Sequence, residues 1–342
     1  MLCCPTCDPV APARAFFMWF LSRRDESAMN TPLVYVKLLA TVSFWGGTFV
    51  AGRVLSQDLG PFEAAFLRFL IASVFLVGLT LRVEKGLPRL PWRDVFVVMI
   101  LGATGVFAYN ACFFAGLQTV PAGRAALIIA SNPACIALVG ALALKQRLRA
   151  LQAVGVALCL AGAAVVISDG APWQLWRGGV GGGELFILGC VASWVAYSLV
   201  GKVAMHRLSP FAAVTYSCLA GTLLLAIPAS GEGLWGHIGQ FSGLQWGCLA
   251  YLGICGTGLG FSWYYQGIKA IGPARASVFI NFVPVTAILA GFVCLDETIG
   301  ASLIAGALCV GVGVYLTNRF SLAEREPKVH GAVAKGPTEE LA

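Results

Sequence analysis

From Leu33 to Thr317 the chain repeats one motif of polarity, an apolar run close to 20 residues long followed by a short break carrying glycine, proline or basic residues. An α-helix of about 20 apolar residues is what the hydrocarbon core of a bilayer requires, because each residue advances the helix by only about 1.5 Å. The pattern therefore predicts ten membrane-spanning helices, near 33–52, 62–81, 95–117, 122–144, 150–168, 184–205, 211–229, 245–267, 274–295 and 300–317. Pro61 and Pro210 fall at or just before a first helical turn, where a missing amide hydrogen costs nothing. Between the fifth and sixth spans, Pro172 and the glycines from Gly170 to Gly183 mark a linker.

The spans form two related sets. A shift of 151 carries Leu101, Gly102, Gly105, Gly116, Arg124, Ala125, Pro133, Gly155 and Gly162 onto identical residues from Leu252 to Gly313, without a gap. Upstream, a shift of 149 pairs Trp45 with Trp194, Gly52 with Gly201 and Pro61 with Pro210. The chain reads as a duplication, with five-helix repeats at 33–168 and 184–317 and a linker at 169–183. Segments 1–32 and 318–342 flank the repeats and are expected to be disordered and cytoplasmic.

Composition agrees with this reading and removes others. With 58% hydrophobic and only 11% charged residues, an all-α polytopic membrane protein is expected in place of two or three soluble domains. The net charge of +7 comes from lysines and arginines scattered between spans, which argues against nucleic-acid binding and for a topology signal. Basic residues gather in the loops after the second, fourth, sixth and eighth spans, such as Arg82, Lys145, Lys202 and Lys269, whereas the alternate loops hold only Arg53, Arg124 and Arg177. The positive-inside rule then puts both termini in the cytoplasm and the 169–183 linker in the periplasm of a cell inner membrane. Five spans per repeat is an odd number, so the second repeat enters the membrane inverted.

Nine of the twelve cysteines, from Cys112 to Cys309, stand singly in apolar runs and read as small buried hydrophobes. Cys4 and Cys7 have half of a zinc-site spacing, but no second His/Cys pair lies nearby, and no metal site is assigned. The apolar run before Arg23 is too short for a signal peptide, and Met29 is a natural alternative start, so residues 1 to 28 are expected to add nothing to the fold.

Within the spans, polar and proline residues are the candidates for function. Pro133 and Pro284 are repeat mates near the middle of the fourth and ninth spans, where each removes an amide donor, and they are assigned as hinges. Asn132 and Asn281 accompany them without being strict mates. The third and eighth spans carry Tyr109, Phe113, Trp263 and Tyr264 together with Asn110 and Gln266, a set able to line an apolar cavity with few polar groups. Arg68 lies about two turns inside the second span with no obvious carboxylate partner in its own helix, and completes the candidate substrate site. Glu63, Arg124, Glu184 and Arg275 sit at span ends, where solvation or capping is the simpler role. No span centre holds a carboxylate, and the three histidines lie in loops or the tail, so neither catalysis nor a cofactor is expected.

The Gly60-Pro61-Phe62 opening, Arg68, the run Ala122 to Pro133, its repeat Pro273 to Pro284, and Asp296-Glu297 before a glycine-rich last helix resemble the drug/metabolite transporter superfamily, EamA type. The resemblance spans Leu33 to Thr317. It implies ten helices in two inverted bundles around a central cavity lined by the third, fourth, eighth and ninth helices. It also implies export or uptake of amino acids or related metabolites. With the inverted repeat, the expectation is a transporter that moves an amino acid or an aromatic or amphipathic compound by alternating access, with export ahead of uptake. The expected partners are a small-molecule substrate and the lipid bilayer, in a monomer or homodimer, with a proton as one candidate coupling ion and the energy coupling left open. The chain departs from the family at Gln146, where a glutamate is usual, while Glu297 is kept in the second repeat. The competing class is a non-transporting scaffold or lipid-handling subunit, which would have no use for two matched prolines.

Overall fold

The computed structural model describes residues 31–84, 86–143, 148–173, 180–205 and 207–322, and all regular structure among them is helical. The main helices are α1 (Thr31–Asp58), α2 (Pro61–Val83), α3 (Trp92–Leu117), α4 (Ala122–Ile129 and Asn132–Ala143), α5 (Ala150–Ile167), α6 (Gly182–Ala204), α7 (Pro210–Gly231), α8 (243–271), α9 (Pro273–Ile280 and Val283–Leu295) and α10 (Ala301–Leu322). Among the described residues, nine helices are long and apolar enough to cross a bilayer, and they match nine of the ten expected spans. The exception is α8, which is continuous but whose glycines, tyrosines, tryptophans and glutamines dilute its mean hydropathy. At the C-terminal end, α10 runs to Leu322, past the boundary expected at 317, because no glycine or proline interrupts Asn318 to Leu322. The readings made for residues 1–30, for Gln146, for the centre of the linker and for 323–342 fall outside the described residues.

Lipid provides no hydrophobic drive between helices, so close contact and shared hydrogen bonds must hold them. Helices α5 and α10 meet through glycines: a methyl group on Gly162 would stand 2.9 Å from the Val310 amide nitrogen, and one on Gly313 would stand 2.6 Å from that of Cys159. Residue numbers rise on one helix as they fall on the other, so the two run antiparallel. The same holds for α2 and α7, where the Ser73 and Thr222 hydroxyls lie 3.1 Å apart and those of Thr80 and Thr215 2.8 Å apart. Ser73 and Thr222 are separated by 149 residues, the repeat shift itself. At the two ends of this pair the contacts reciprocate. Glu232, just after α7, accepts hydrogen bonds from the first-turn amides of Phe62 (3.0 Å) and Glu63 (2.8 Å) on α2. Glu84, just after α2, accepts one from Ser209, the residue that caps α7. The remaining neighbours pair likewise: α1 packs on α8 and α9, as α6 packs on α3 and α4.

Two irregularities also recur. A π-helical stretch occupies Gly102–Ala108 in α3 and Tyr251–Leu259 in α8. Both α4 and α9 are broken, at 130–131 and 281–282, positions related by the shift of 151. Before each break the backbone tightens to three-residue hydrogen bonds, Ser131 to the Ile128 carbonyl and Phe282 to that of Phe279. Pro133 and Pro284 then occupy the first turn of a new helix, where no amide donor is needed. The prolines restart a helix; they do not kink a continuous one.

Candidate binding site

The structure brings four of the predicted site residues into one cluster. The Arg68 guanidinium, projecting from α2, donates from Nη1 to Asn110 Oδ1 on α3 at 2.9 Å. Asn110 Nδ2 in turn donates to the Val106 carbonyl at 2.8 Å, so both ends of this buried amide are used. The Arg68 Cζ atom lies 5.1 Å from the Phe69 ring centroid and 6.0 Å from that of Phe113, within range of cation–π attraction. Phe113 is stacked with Tyr109 at 6.1 Å and packed edge-on against Phe49 of α1 at 5.4 Å, and Tyr109 meets Trp194 of α6 at 5.6 Å. The cluster therefore draws on α1, α2, α3 and α6.

The other predicted residues lie elsewhere. Trp263 stacks on Phe44 at 5.5 Å, and Tyr264 packs against Trp45 at 5.4 Å, forming a second aromatic group between α1 and α8. Trp45 and Trp194 are repeat mates, so each group sets the aromatics of one half against the same tryptophan of the other half. Gln266 accepts a hydrogen bond from Lys37 Nζ at 2.8 Å, a partner in the first span that the sequence reading passed over. Asn132 opens the restarted half of α4, buried, with its Oδ1 unpartnered among the described residues. Asn281 lies in the equivalent break itself, directly after the first half of α9, and is partly exposed.

A set of charged residues gathers at one end of the bundle, around a cavity of about 270 Å³. Glu297, from the turn between α9 and α10, accepts from the amides of Ala122 (2.6 Å) and Gly123 (3.1 Å) at the start of α4. Pro121, the residue before that helix, offers no side-chain cap, so the carboxylate takes its place across the two halves. Arg124, one residue on, pairs with Asp169 at 3.1 Å and Glu184 at 3.5 Å. Ser302 Oγ donates to Asp169 at 2.7 Å, and this bond, with the Arg124 charge, holds the Asp169 carboxyl below its usual range. A second cavity, of about 280 Å³, lies beside the Asp94–Arg207 ion pair (3.4 Å) at the start of α3.

The profile of the EamA-like transporter family matches this chain twice, over residues 33–168 and 181–319. Among relatives, a Bacillus subtilis protein named uncharacterized transporter YetK is 27% identical over 83% of this chain and 86% of its own length. Another from the same organism, uncharacterized transporter YyaM, is 27% identical over 85% of this chain and 97% of its own. A protein of Streptantibioticus cattleyicolor named probable terminal-alkyne amino-acid exporter is 29% identical over 84% and 94% of the two chains. A protein of known crystal structure shares the fold, with a TM-score of 0.57 at 22% identity over 85% of this chain and 99% of its own. With apolar helices throughout and a family profile that covers both halves, the chain is a multi-pass membrane protein belonging to the EamA-like transporter family.

Proposed function

We propose that this protein is a secondary transporter of a cell inner membrane that moves a small amphipathic metabolite, an amino acid or an aromatic compound, by alternating access, with export as its direction. In this reading α8 also crosses the bilayer and brings the spans to ten, both termini are cytoplasmic, and the two five-helix halves are inverted repeats. The antiparallel packing of α2 on α7 and of α5 on α10 supports the inversion, since repeat-related helices that run in opposite directions must enter the bilayer oppositely. The observation that carries the functional reading is the pair of helix breaks at 130–131 and 281–282. A broken helix inside a membrane exposes backbone that needs a wet cavity or a mobile joint, and two breaks at matched positions provide one for each gate. The relative named as an amino-acid exporter supports that substrate class.

The test is counterflow in proteoliposomes loaded with a panel of amino acids and aromatic metabolites. Saturable exchange of at least one compound, reduced in Pro133→Ala and Pro284→Ala variants that remain folded, is expected. A protein that inserts and folds yet exchanges nothing across the panel overturns the reading in favour of a scaffold. Cysteine labelling at Gly178 from the periplasmic side checks the orientation.

A further inference from the structure

Arg68 is a permanent cation in the interior of the second span, and no carboxylate lies within ion-pair reach of it among the described residues. The titratable side chains near it, Tyr109 and Cys218, are ordinarily neutral. Among the described residues its guanidinium donates to the neutral oxygen of Asn110, and its Nε is buried without a partner. A charge in lipid surroundings with only a neutral acceptor and ring faces around it is costly, and such charges persist where something anionic completes them. The residue as a whole is half-buried, whereas its Nε is enclosed.

We propose that Arg68 is the receptor for a carboxylate, so that the ligand's carboxylate serves as the missing counter-ion. This deepens, and rests on, the transport reading above: the substrate is an organic acid or an amino acid recognised through its acid end. The geometry fits because the planar guanidinium already has one Nη committed to Asn110, which fixes its orientation, while its enclosed Nε is a donor still unmet that a carboxylate oxygen would satisfy. Phe69 and Phe113 flank the charge and Tyr109 extends the aromatic wall, so an apolar or aromatic body attached to the acid would find rings beside it.

Matched acid and amide probes isolate the charge from the apolar body. Thermal unfolding of the purified full chain in detergent is followed with 3-phenylpropionate and 3-phenylpropionamide, and with L-phenylalanine and L-phenylalaninamide. At least one acid is expected to raise Tm by about 3–5 °C at saturating concentration while its amide leaves it unmoved. Arg68→Gln should abolish that difference. Its own Tm without ligand should be equal to or above that of the wild type, because an uncompensated charge has been removed. A structural tie to Asn110 predicts the reverse, a lower Tm for Arg68→Gln. The proposal is overturned if acids and amides act alike on the wild-type protein, if none acts, or if Arg68→Gln keeps the acid preference. Flux separates this from the broader reading: transport without acid preference sinks the carboxylate site alone, whereas acid-selective binding without transport sinks the transporter reading alone.

Discussion

Removing the Glu297 carboxylate should loosen the protein at the end of the bundle where the two halves meet. Its two oxygens accept from the Ala122 and Gly123 amides at 2.6 and 3.1 Å, and both residues are buried. In Glu297→Ala these donors lose a charged acceptor, and Pro121 cannot replace it. A buried donor left unmet costs about 1–3 kcal/mol, and loss of a negative charge at a helix N-terminus adds about 0.3–1 kcal/mol. The neighbouring cavity of about 270 Å³ includes Glu297 and lets water reach the site, so the two penalties should not simply add. A loss of roughly 2–3 kcal/mol is expected, equivalent to a fall in Tm of about 5–10 °C. Glu297→Gln keeps one acceptor but turns an amide donor towards the backbone, and should fall about half as far. The measurement is thermal unfolding of both variants in the same detergent. A Glu297→Ala protein within about 1 °C of the wild type would refute the cap, and so would a glutamine variant as unstable as the alanine one.

Two further outcomes are expected. Gly313→Leu should destabilise the protein strongly or prevent its accumulation in the membrane, because even a methyl group there meets the Cys159 amide at 2.6 Å and the Gly155 carbonyl at 2.7 Å, which are backbone and cannot yield. Gly311→Leu, where a side chain would enter open space on the same helix, should be tolerated, and equal yields of the two variants would contradict the α5–α10 packing. For Asp169 the sign follows from its lowered pKa: the group stabilises the fold above its ordinary value of 3.8, and that contribution is lost as pH falls through the lower folded value. The gap in Tm between wild type and Asp169→Asn should therefore be constant from about pH 5 to 8 and close at more acidic pH. Asn is the apt substitute because Asp169 is left-handed, with φ of 51°, a conformation Asn tolerates. A gap that persists below the folded value would remove the carboxylate's role.

What could be read from the sequence, and what could not, follows from how far apart the causes lie along the chain. Span positions were legible because hydropathy is local, and the duplication because residues such as Trp45 and Trp194, or Gly155 and Gly306, keep their identity under a fixed shift. The breaks in α4 and α9 were half legible: Pro133 and Pro284 announced lost amide bonds, but a kink and a restarted helix have the same sequence signature. The π-helical stretches in α3 and α8 left no periodic trace, since a change of backbone register alters which carbonyl is used and not which residues are apolar. Arg68 was visible as an isolated charge, yet its tie to Asn110, 42 residues away, depends on how α2 packs on α3. Glu297 is the sharpest case. In the sequence it is the kept half of an acid pair whose other position is Gln146, but its partners are the backbone amides of Ala122 and Gly123. Every residue except proline carries such a donor, so no side-chain pattern marks where one will be needed. Helix starts packed against the opposite half, as at Ala122 and Phe62, are the places where an unassigned span-end acid is best sought, since Glu297 and Glu232 meet the same need at each.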